Sequence, residues 1–417
     1  MTYRTLFLLQ TDLYPPAGGV SLRNWQNINL MRAYGAVGLF SIYKGAACDQ
    51  LPVQFALWHH HDLSTPQRTA WEKIQRRLWR WRPDGNARAD WLYSASIAQQ
   101  LKATLKAFQP TLIIVEEIWL FRYLPILRQW GCPIILDDPN VEGDDSRYPD
   151  RSAMALLKLQ KIRYIEEQFV QRADQVWMCS QQDIDGLGRL YPSTKDTVQT
   201  CLVPNGVNPL DYQNLQALPQ PSDCQGEAPT LLYLGRFSYA PNAEAAEILL
   251  RDIFPAVKAM IPDCRLLLVG CEPTVPLQQL AQQQPDVIVT GRVDDVKPYL
   301  AAASLMVVPL QRGSGTRLKL LEAFAAHCPV ISTAKGAEGL AVEDGKHLLL
   351  RETPAAMVDA IQRLLHAPPQ AQALAAMAHR LFLAHYGWPA VNQQIQTALG
   401  RLSIAPAAGQ PPAPLPM

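Results

Sequence analysis

A glycine-containing turn between an apolar strand and an amphipathic helix holds the residues best suited to chemistry. The strand pattern covers 305–310, the turn contains Gly313, Ser314 and Gly315, and a helical pattern opens near Thr316. Glycines let the backbone approach a ligand closely, and a helix N-terminus presents unpaired N–H groups to an anion. The order of strand, turn and helix therefore predicts a phosphate-binding turn.

Three charged residues follow this turn within the helical pattern. Arg317 and Lys319 place two cations in the first turn, which is unfavourable beside the positive end of the helix dipole unless an anion binds there. Glu322 lies further along, where its carboxylate could accept hydrogen bonds from ribose hydroxyls. An ordinary turn with solvated charges would explain any one of these residues. Their combination, with a second apolar strand at 329–334, favours a nucleotide-diphosphate site.

The same stretch resembles the donor-site signature of a known enzyme family. Residues 313–333 read GSGTRLKLLEAFAAHCPVIST, and GAEGL follows at 336–340. They are similar to the signature of family-4 glycosyltransferases, which have the two-domain GT-B fold and usually carry two glutamates separated by seven residues. Glu322 matches the second glutamate, which binds the nucleotide ribose. Ser314 stands in place of the first glutamate, which contacts the sugar in the family. A bacterial branch of the family has the same GSG turn. The resemblance therefore does not specify the sugar.

Two other segments of the C-terminal half resemble donor-binding parts of this family. The LGRF segment is similar to a Gly-Arg turn, which implies that Gly235 and Arg236 reach the donor diphosphate. The TGRV segment is similar to the part that lines the base pocket, mostly through its backbone, which implies that Arg292 and Val293 lie there. The donor-binding residues expected in this half are Gly235, Arg236, Arg292, Val293, Gly313, Ser314, Gly315, Thr316, Arg317, Lys319 and Glu322.

Cationic side chains would stabilise the departing diphosphate. Family members often place a lysine about five residues after the Gly-Arg turn, but this chain has Asn242 there. Lys319 or Arg317 would supply the missing charge. Arg236 and Lys319 are the expected catalytic residues, because charge grows on the phosphates as the nucleotide leaves. This chemistry needs no divalent metal, and no DxD motif stands near the expected donor site.

A second glycine turn follows the first apolar strand. Gly18 and Gly19 precede a helical pattern, so this turn could also receive a phosphate or a donor sugar. Gly-Gly turns are common, and a structural turn explains the pair at least as well. The segment resembles the glycine loop of the same family, which faces the donor, and Arg23 takes a position that is often basic there.

Acidic and amide residues follow two buried-strand patterns in the N-terminal half. Glu116 and Glu117 come directly after one strand, and Asp138 and Asn140 follow the other. Side chains just past the C-terminal ends of parallel strands face the ligand crevice of an open α/β sheet. The second segment, DDPNVEGDD, resembles an acidic segment of the family's acceptor domain. These four residues are therefore the acceptor-side candidates. Many family members have a histidine after the first of these two strands, where it contacts the donor sugar. This chain has Glu116 and Glu117 there, so the resemblance does not identify a residue for that contact.

An unusual run of tryptophan and arginine covers 68–82. Its apolar residues recur at helical spacing, and only Glu72 opposes its cations inside the run. A basic amphipathic helix with tryptophans fits a membrane surface or an anionic lipid-linked acceptor. A helix that packs its tryptophan face on the core is an equally good explanation. The apolar residues are Trp71, Ile74, Leu78 and Trp81, and the cations are Arg68, Lys73, Arg76, Arg77, Arg80 and Arg82.

Length and composition bound the class of protein. A chain of 417 residues exceeds one compact core, and a net charge of +1 gives no general affinity for nucleic acid. The eight cysteines show no CxxC pair, which favours reduced thiols over zinc or disulfides. The consecutive histidines at 59–61 do not share a face, so no metal is expected there.

No apolar run reaches membrane-spanning length, so we expect a cytoplasmic protein. If 68–82 binds lipid, we expect peripheral contact at the inner face of the membrane.

The order of strand and helix patterns predicts an α/β fold of two Rossmann-like domains. The segment VPNGVNP at 203–209 resembles the family's hinge, and the family's domains face each other across a cleft. In the family the last helix crosses back to the N-terminal domain. The expected parts are an acceptor domain (1–205), a linker (206–229), a donor domain (230–385), a crossing helix (386–402) and a disordered tail (403–417).

The resemblance implies a hexosyltransferase. It would move a sugar from a nucleotide-diphosphate sugar to a glycan or lipid-linked acceptor of bacterial polysaccharide biosynthesis, with retention of configuration and without a cofactor. A non-catalytic GT-B subunit is the main alternative, because the family's first glutamate, lysine and histidine are missing. An NAD-dependent oxidoreductase is a weaker alternative, because no GxGxxG follows either first strand.

Overall fold

Alternating strands and helices form two α/β units, each with its own parallel sheet. The computed structural model of the protein describes residues 2–16, 18–46, 51–64, 69–148, 150–195, 197–221, 224, 226, 228–313 and 317–402. The first unit contains Met1–Pro204 and the C-terminal segment that starts at Asn392, and the second contains Asn205–Val391.

Seven short strands form the sheet of the first unit. They lie in the order β3-β2-β1-β4-β5-β6-β7, and neighbouring strands are parallel. The direction of strand order reverses between β1 and β4, which is the place where open α/β sheets bind ligands. The strands are β1 (Tyr3–Leu9), β2 (Gly35–Tyr43), β3 (Leu57–Asp62), β4 (Leu112–Glu116), β5 (Ile134–Asp137), β6 (Gln175–Met178) and β7 (Gln199–Leu202).

Burial explains why the central strands read as continuous apolar runs. Every residue of β4 and β5 is buried, as expected for parallel strands covered on both faces. Helices connect most successive strands, because parallel neighbours need a crossover, but none lies between β2 and β3 in the described residues. The helices of this unit are α1 (Gly19–Met31), α2 (Ala70–Trp79), α3 (Ala87–Leu92), α4 (Ala95–Phe108), α5 (Leu124–Trp130), α6 (Ala153–Val170) and α7 (Gln181–Leu190).

Helix α2 packs on its unit through a face other than the predicted apolar stripe. Glu72 and Trp79 are buried, whereas Trp71 and Trp81 are 66% and 89% exposed. Packing of the tryptophan stripe on the core, one of the two explanations open from sequence, is therefore wrong. The face of α2 that packs on the unit carries one residue per helical turn. It makes polar contacts as well as contacts through an aromatic ring.

Six strands form the sheet of the second unit, in the order β10-β9-β8-β11-β12-β13. All neighbouring pairs are parallel, and the order reverses between β8 and β11. The carboxyl ends of these two strands are therefore the expected ligand crevice of this unit. The strands are β8 (Thr230–Leu234), β9 (Arg265–Val269), β10 (Val287–Gly291), β11 (Leu305–Val308), β12 (Val330–Ser332) and β13 (Leu349–Leu350).

The first helical stretch of this unit is interrupted. A π-helical segment, Leu249–Ile253, separates two α-helices. Pro255 follows this segment and has no N–H for the regular helical bond, which accounts for the local widening. The helices are α8 (Ala240–Ile248), α9 (Phe254–Met260), α10 (Val275–Gln282), α11 (Lys297–Ala302), α12 (Leu318–Ala325), α13 (Pro354–His366), α14 (Pro368–His385) and, at the end of the described chain, α15 (Trp388–Gly400).

The segment 206–229, expected to be an exposed linker, is partly packed within the second unit. Its described residues include the 3-10 turns Pro209–Tyr212 and Leu215–Ala217. Leu215 and Cys224 are buried. Apolar side chains thus anchor a stretch whose Pro, Gln and Ser content suggested only an exposed linker.

Candidate functional site

The first turn of α12 places the Lys319 ammonium against an amide and an aromatic ring. Its Nζ donates to Oδ1 of Asn242 at 3.0 Å and lies 4.3 Å from the centre of the Tyr233 ring. Burial lowers the pKa of Lys319 to about 7, and the charge of Arg317 adds to the shift. A bound anion would favour the ammonium and reverse the shift, so this nitrogen is suited to hold a phosphate.

Asn242 links this lysine to the Gly-Arg turn after β8. Its Oδ1 also accepts the Tyr233 hydroxyl at 3.0 Å, and its Nδ2 donates to the Arg236 carbonyl at 3.0 Å. A Cβ on Gly235 would lie 3.0 Å from Asn242 Cγ, so the absence of a side chain lets the turn pack this closely. Sequence reasoning did not select Asn242. The sequence marked Asn242 only by its position, at which the resembled family often has a lysine.

The Arg236 side chain extends from this turn toward solvent. Half of its side-chain surface is exposed, and its Nε lies 3.8 Å from Oε2 of Glu272. An ion pair of this length between exposed groups contributes little to stability. The turn itself is tightly built, because a Cβ on Gly270 would lie 1.9 Å from the Gly235 carbonyl oxygen. A firmly placed backbone therefore carries a guanidinium that can turn toward an anion.

Glu322 lies one helical turn after Lys319 on α12, so the two side chains share a face. Its Oε1 accepts the Tyr212 hydroxyl at 3.2 Å. Burial raises the pKa of Glu322 to about 7, and the hydrogen bond from Tyr212 opposes this shift. A carboxylate has enough lone pairs to accept ribose hydroxyls as well. Tyr212 was not predicted, because it lies in the segment expected to be a linker.

Arg317 stands at the N-cap of α12 and faces other parts of its unit. The side chain is buried, its Nη2 donates to the Lys335 carbonyl at 3.3 Å and lies 3.8 Å from Glu338. Glu338 also pairs with Lys335 Nζ at 2.6 Å. Arg317 was expected to hold a phosphate together with Lys319. Its guanidinium contacts the GAEGL segment and also borders the glycine turn, because a Cβ on Gly313 would lie 3.5 Å from its Nη1, and Lys319 is the cation beside Asn242.

The remaining donor-side candidates follow other strands of the same sheet. Gly313 follows β11 with a φ of +112°, which favours glycine, and a Cβ there would lie 3.2 Å from the Tyr239 hydroxyl. Arg292 is exposed and Val293 half-buried, and both follow β10, which β9 separates from β8. The structure therefore gathers most of the donor-side set at β8 and β11, and leaves the base-pocket pair at the sheet edge. Three expected residues lie outside the described ones: Ser314, Gly315 and Thr316.

In the first unit, the expected Gly-Gly turn lies at the start of α1. Gly18 is the N-cap with a φ of +100°, and the helix begins at Gly19. A Cβ at either position would meet no described atom within 4 Å, so the backbone is open to a ligand. Arg23 is not part of this open surface, because it is buried and pairs with Asp137 at 2.6 Å.

Glu116 is held by the turn that follows β1. It accepts the Gln10 backbone N–H at 2.6 Å and the Thr11 hydroxyl at 2.8 Å. Asn24 of α1 donates to the same hydroxyl at 3.0 Å. Burial raises the pKa of Glu116, and these hydrogen bonds oppose the shift. Glu116 therefore fastens β1 to β4, which is a structural role for a residue that was expected to face an acceptor.

Glu117 is buried beside one cation. Arg88 of α3 lies 3.2 Å from its Oε2, and Gln10 also donates to this oxygen. Burial raises the pKa of Glu117 to about 8, and the neighbouring Glu116 adds to the shift. At neutral pH this carboxyl exchanges a proton easily, as a general acid or base must.

Asp138 is fully buried at the carboxyl end of β5. Neither carboxylate oxygen has a hydrogen-bond partner in the described part of the chain, and the same holds for Oδ1 of Asn140. Burial, reinforced by Glu166 and Glu142, raises the pKa of Asp138 well above its usual value. A buried carboxyl without partners is costly unless it is protonated or a ligand supplies them.

Glu166 of α6 completes this carboxyl cluster and was not predicted. It accepts the backbone N–H groups of Glu142 at 2.6 Å and Gly143 at 2.8 Å, and the Tyr191 hydroxyl. Burial raises the pKa of Glu166 to about 7. A glutamate in a long amphipathic helix gives no sequence signal of such a role. Arg147 lies 3.1 Å from Glu142 and partly balances the cluster.

Several other features bear on the kind of site. None of the described helices is long and apolar enough to span a membrane. In the same residues, no group of three or more histidine, cysteine or acidic side chains could hold a metal ion. The seven cysteines within the described ranges are free thiols, and Cys48 lies outside them.

Comparison with known proteins gives one family match, in the second unit. Residues 228–367 match the model of the family described as glycosyl transferases group 1. This range contains β8 to α13 and all donor-side candidates of the C-terminal half. No curated protein matches the chain significantly.

Solved structures are similar over nearly the whole chain. Sucrose-phosphate synthase from Thermosynechococcus elongatus is 22% identical with a TM-score of 0.70, covering 95% of this chain and 98% of that one. HepE from Anabaena, in complex with UDP and glucose, is 15% identical with a TM-score of 0.67, covering 96% and 100%. Trehalose 6-phosphate synthase from Burkholderia multivorans is 16% identical with a TM-score of 0.65, covering 96% and 98%. The chain therefore has the two-domain GT-B fold, and its second unit carries the glycosyl transferases group 1 match.

Proposed function

We propose that the protein is a glycosyltransferase that moves a hexose from a nucleotide-diphosphate sugar to a glycan or lipid-linked acceptor. The observation that carries this proposal is the arrangement of Lys319, Asn242 and Glu322 where the order of the second sheet reverses. A lysine and a glutamate on one helix face suit a phosphate and a ribose, because an ammonium pairs with phosphate and a carboxylate accepts hydroxyl groups. The family match over 228–367 supports the proposal.

Lys319 and Arg236 would stabilise the departing nucleoside diphosphate. Negative charge grows on the phosphates as the bond to the sugar breaks, and preorganised cations lower the barrier to that step. Lys319 is only partly exposed, so its attraction to phosphate would be less weakened by solvent than that of a fully exposed lysine. The two side chains would supply the charge that a divalent metal supplies in other enzymes, so the transfer is proposed to be independent of metal.

Glu322 would bind the ribose, with Tyr212 holding its carboxylate in place. The similar HepE structures were determined with UDP and with UDP-glucose. UDP-sugars are therefore the first donors to test on this protein. Membership of family 4, a role in bacterial polysaccharide biosynthesis and retention of configuration are proposed from the motif resemblance, in which Glu322 matches the ribose-binding glutamate.

The acceptor would use the carboxyl edge of the first sheet. Asp138 would form a hydrogen bond with an acceptor hydroxyl. Glu117, with a pKa raised to about 8, would exchange a proton there. The unpartnered oxygens of Asp138 and Asn140 support this assignment, because an acceptor hydroxyl would satisfy them.

Turnover of labelled nucleotide sugars tests the proposal. We expect transfer from at least one of the UDP-, GDP- or ADP-hexoses to material in a cell-envelope extract, and much less transfer by Lys319→Ala. Lys346→Ala is the control, because Lys346 is an exposed lysine that pairs with Glu343 away from this arrangement. Nucleotide binding without transfer or hydrolysis of any donor would instead identify a non-catalytic subunit.

A further inference from the structure

Helix α2 and the turn that follows it expose a continuous apolar stripe. Trp71 is 66%, Ile74 49%, Leu78 60% and Trp81 89% exposed. Their spacing of three, four and three residues places them on one helical face. Single exposed apolar residues are normal on a protein surface, but a stripe with two tryptophans marks an interaction site.

The helix is firmly attached to its unit through the opposite face. Glu72 forms a capping box with Thr69 and accepts the Ala95 N–H at 2.7 Å. Arg76 donates to the Tyr93 carbonyl at 3.0 Å, and the buried Trp79 lies with its edge against Tyr93, 5.5 Å between ring centres. The exposed stripe therefore belongs to a well-packed helix and is not the result of a loosely attached one.

Cations without acidic partners run beside the stripe. Lys73, Arg77 and Arg80 are exposed, and in the described part of the chain their side chains form no ion pair. Arg82 pairs with Asp84 at 3.0 Å. The chain as a whole has a net charge of +1, so this concentration of positive charge is local. Its natural counterpart is an anionic surface.

Helix α6 extends the same surface. Lys161 donates through its Nζ to the Arg80 carbonyl, which fixes α6 beside the end of α2. The face of α6 that carries Lys161 also carries exposed Met154, Leu157 and Lys158, at steps of three and four residues. Apolar and cationic side chains are thus mixed on both helices.

We propose that this α2–α6 surface (Trp71, Ile74, Leu78, Trp81, Met154 and Leu157, with Lys73, Arg77, Arg80 and Lys158) docks on an anionic lipid bilayer. Tryptophans insert at the boundary between headgroups and acyl chains, while lysine and arginine contact anionic headgroups. Lysine is depleted at protein interfaces, whereas tryptophan, methionine and arginine are enriched there, so the lysines are the residues that favour a bilayer over a protein partner. The bilayer accounts for both the stripe and the unpaired cations.

The surface is tied to the acceptor-side carboxyls. Arg88 of α3 pairs with Glu117 at 3.2 Å, and Arg122, 4.3 Å from the centre of the Trp79 ring, binds Asp84 and Asp90. Docking would therefore hold this sheet edge near the membrane, where a lipid-linked acceptor would reach it. This step rests on the proposed function, whereas the docking itself does not.

Vesicle sedimentation tests the docking. Wild-type protein would be mixed with phosphatidylcholine vesicles that contain either no anionic lipid or about 30% phosphatidylglycerol. We expect sedimentation with the anionic vesicles, and a loss of affinity of at least roughly thirtyfold in Arg77→Glu/Arg80→Glu, since each basic residue contributes about 1 kcal/mol. Trp71→Ser/Trp81→Ser should also be released.

The matched control is Lys102→Glu/Lys106→Glu, which makes the same charge change on exposed positions of α4. The control should sediment like the wild type, and circular dichroism should show that every variant is folded. No sedimentation of the wild type, or equal sedimentation of the two charge variants, would overturn the proposal. Calorimetry with UDP and GDP separates this result from the proposed function, because vesicle binding without nucleotide binding contradicts only the latter.

Discussion

Lys319 Nζ and Asn242 Oδ1 are 3.0 Å apart, although 77 residues separate them in the chain. Asn242 occupies the position at which the resembled family often has a lysine. The ammonium therefore reaches the turn after β8 from α12, and the amide holds it there. In the proposed site, Lys319 would supply the positive charge that this lysine supplies in the resembled family.

Nucleotide affinity should fall as the pH rises from about 7 to about 9. The free protein's Lys319 has a pKa lowered to about 7, so it loses its proton through this range and with it the attraction to phosphate. Lys319→Arg should show a much flatter dependence, because a guanidinium stays protonated. Calorimetry with UDP at three pH values would measure this. If the UDP affinity of both proteins fell equally with pH, the titration of Lys319 would not be the cause of the pH dependence.

The strand-rich parts of the fold could be predicted because their signal is local. Buried parallel strands such as β4 and β11 read as short apolar runs, and the acidic or glycine-containing turns come directly after them. The exposed stripe was also visible as spacing. The direction in which the stripe faces could not be predicted, because the periodicity is the same whether Trp71 faces the core or solvent. The inward contacts of Arg76 and Trp79 show that the stripe faces solvent.

The missed residues act over long sequence distances. Tyr212 meets Glu322 across 110 residues, and Tyr191 meets Glu166 across 25. Asn242 was seen only as a departure from the family pattern. None of these contacts leaves a periodic or motif signal, because each depends on how separate elements pack. Arg317 has contacts of the same kind, since its guanidinium lies 3.8 Å from Glu338, which its place in the phosphate-binding pattern did not indicate.

Asp138→Asn should stabilise the protein more at about pH 8 than at about pH 5. Burial raises the pKa of Asp138, so the folded state keeps a proton that the unfolded state has released. The stability of the wild type therefore decreases as the pH rises above the ordinary range of aspartate, and asparagine removes this contribution. Denaturant unfolding at both pH values would measure it.

Asp185→Asn, at an exposed position on α7, serves as the control and should keep the wild-type pH dependence. If Asp138→Asn lowered the unfolding free energy at about pH 8, the ionised carboxylate would have to be stabilised in the fold, contrary to its lack of partners.

Turnover should survive chelation. The proposed site uses Lys319 and Arg236 to stabilise the departing diphosphate, so EDTA should leave the rate of sugar transfer unchanged. The rate would be measured with the best donor, before and after EDTA treatment. Loss of transfer in EDTA, restored by magnesium or manganese, would show that these cations do not replace a metal.

The face of α12 that carries Lys319 and Glu322 is proposed to bind a nucleoside diphosphate. Calorimetry with UDP and with GDP on the wild type, Glu322→Gln, Lys319→Ala and the control Lys346→Ala tests it most directly. Removing a charged hydrogen-bonding group should weaken binding by roughly 1.5–3 kcal/mol in each of the two site variants. The control should bind like the wild type. Unchanged affinity in both Glu322→Gln and Lys319→Ala would contradict the site.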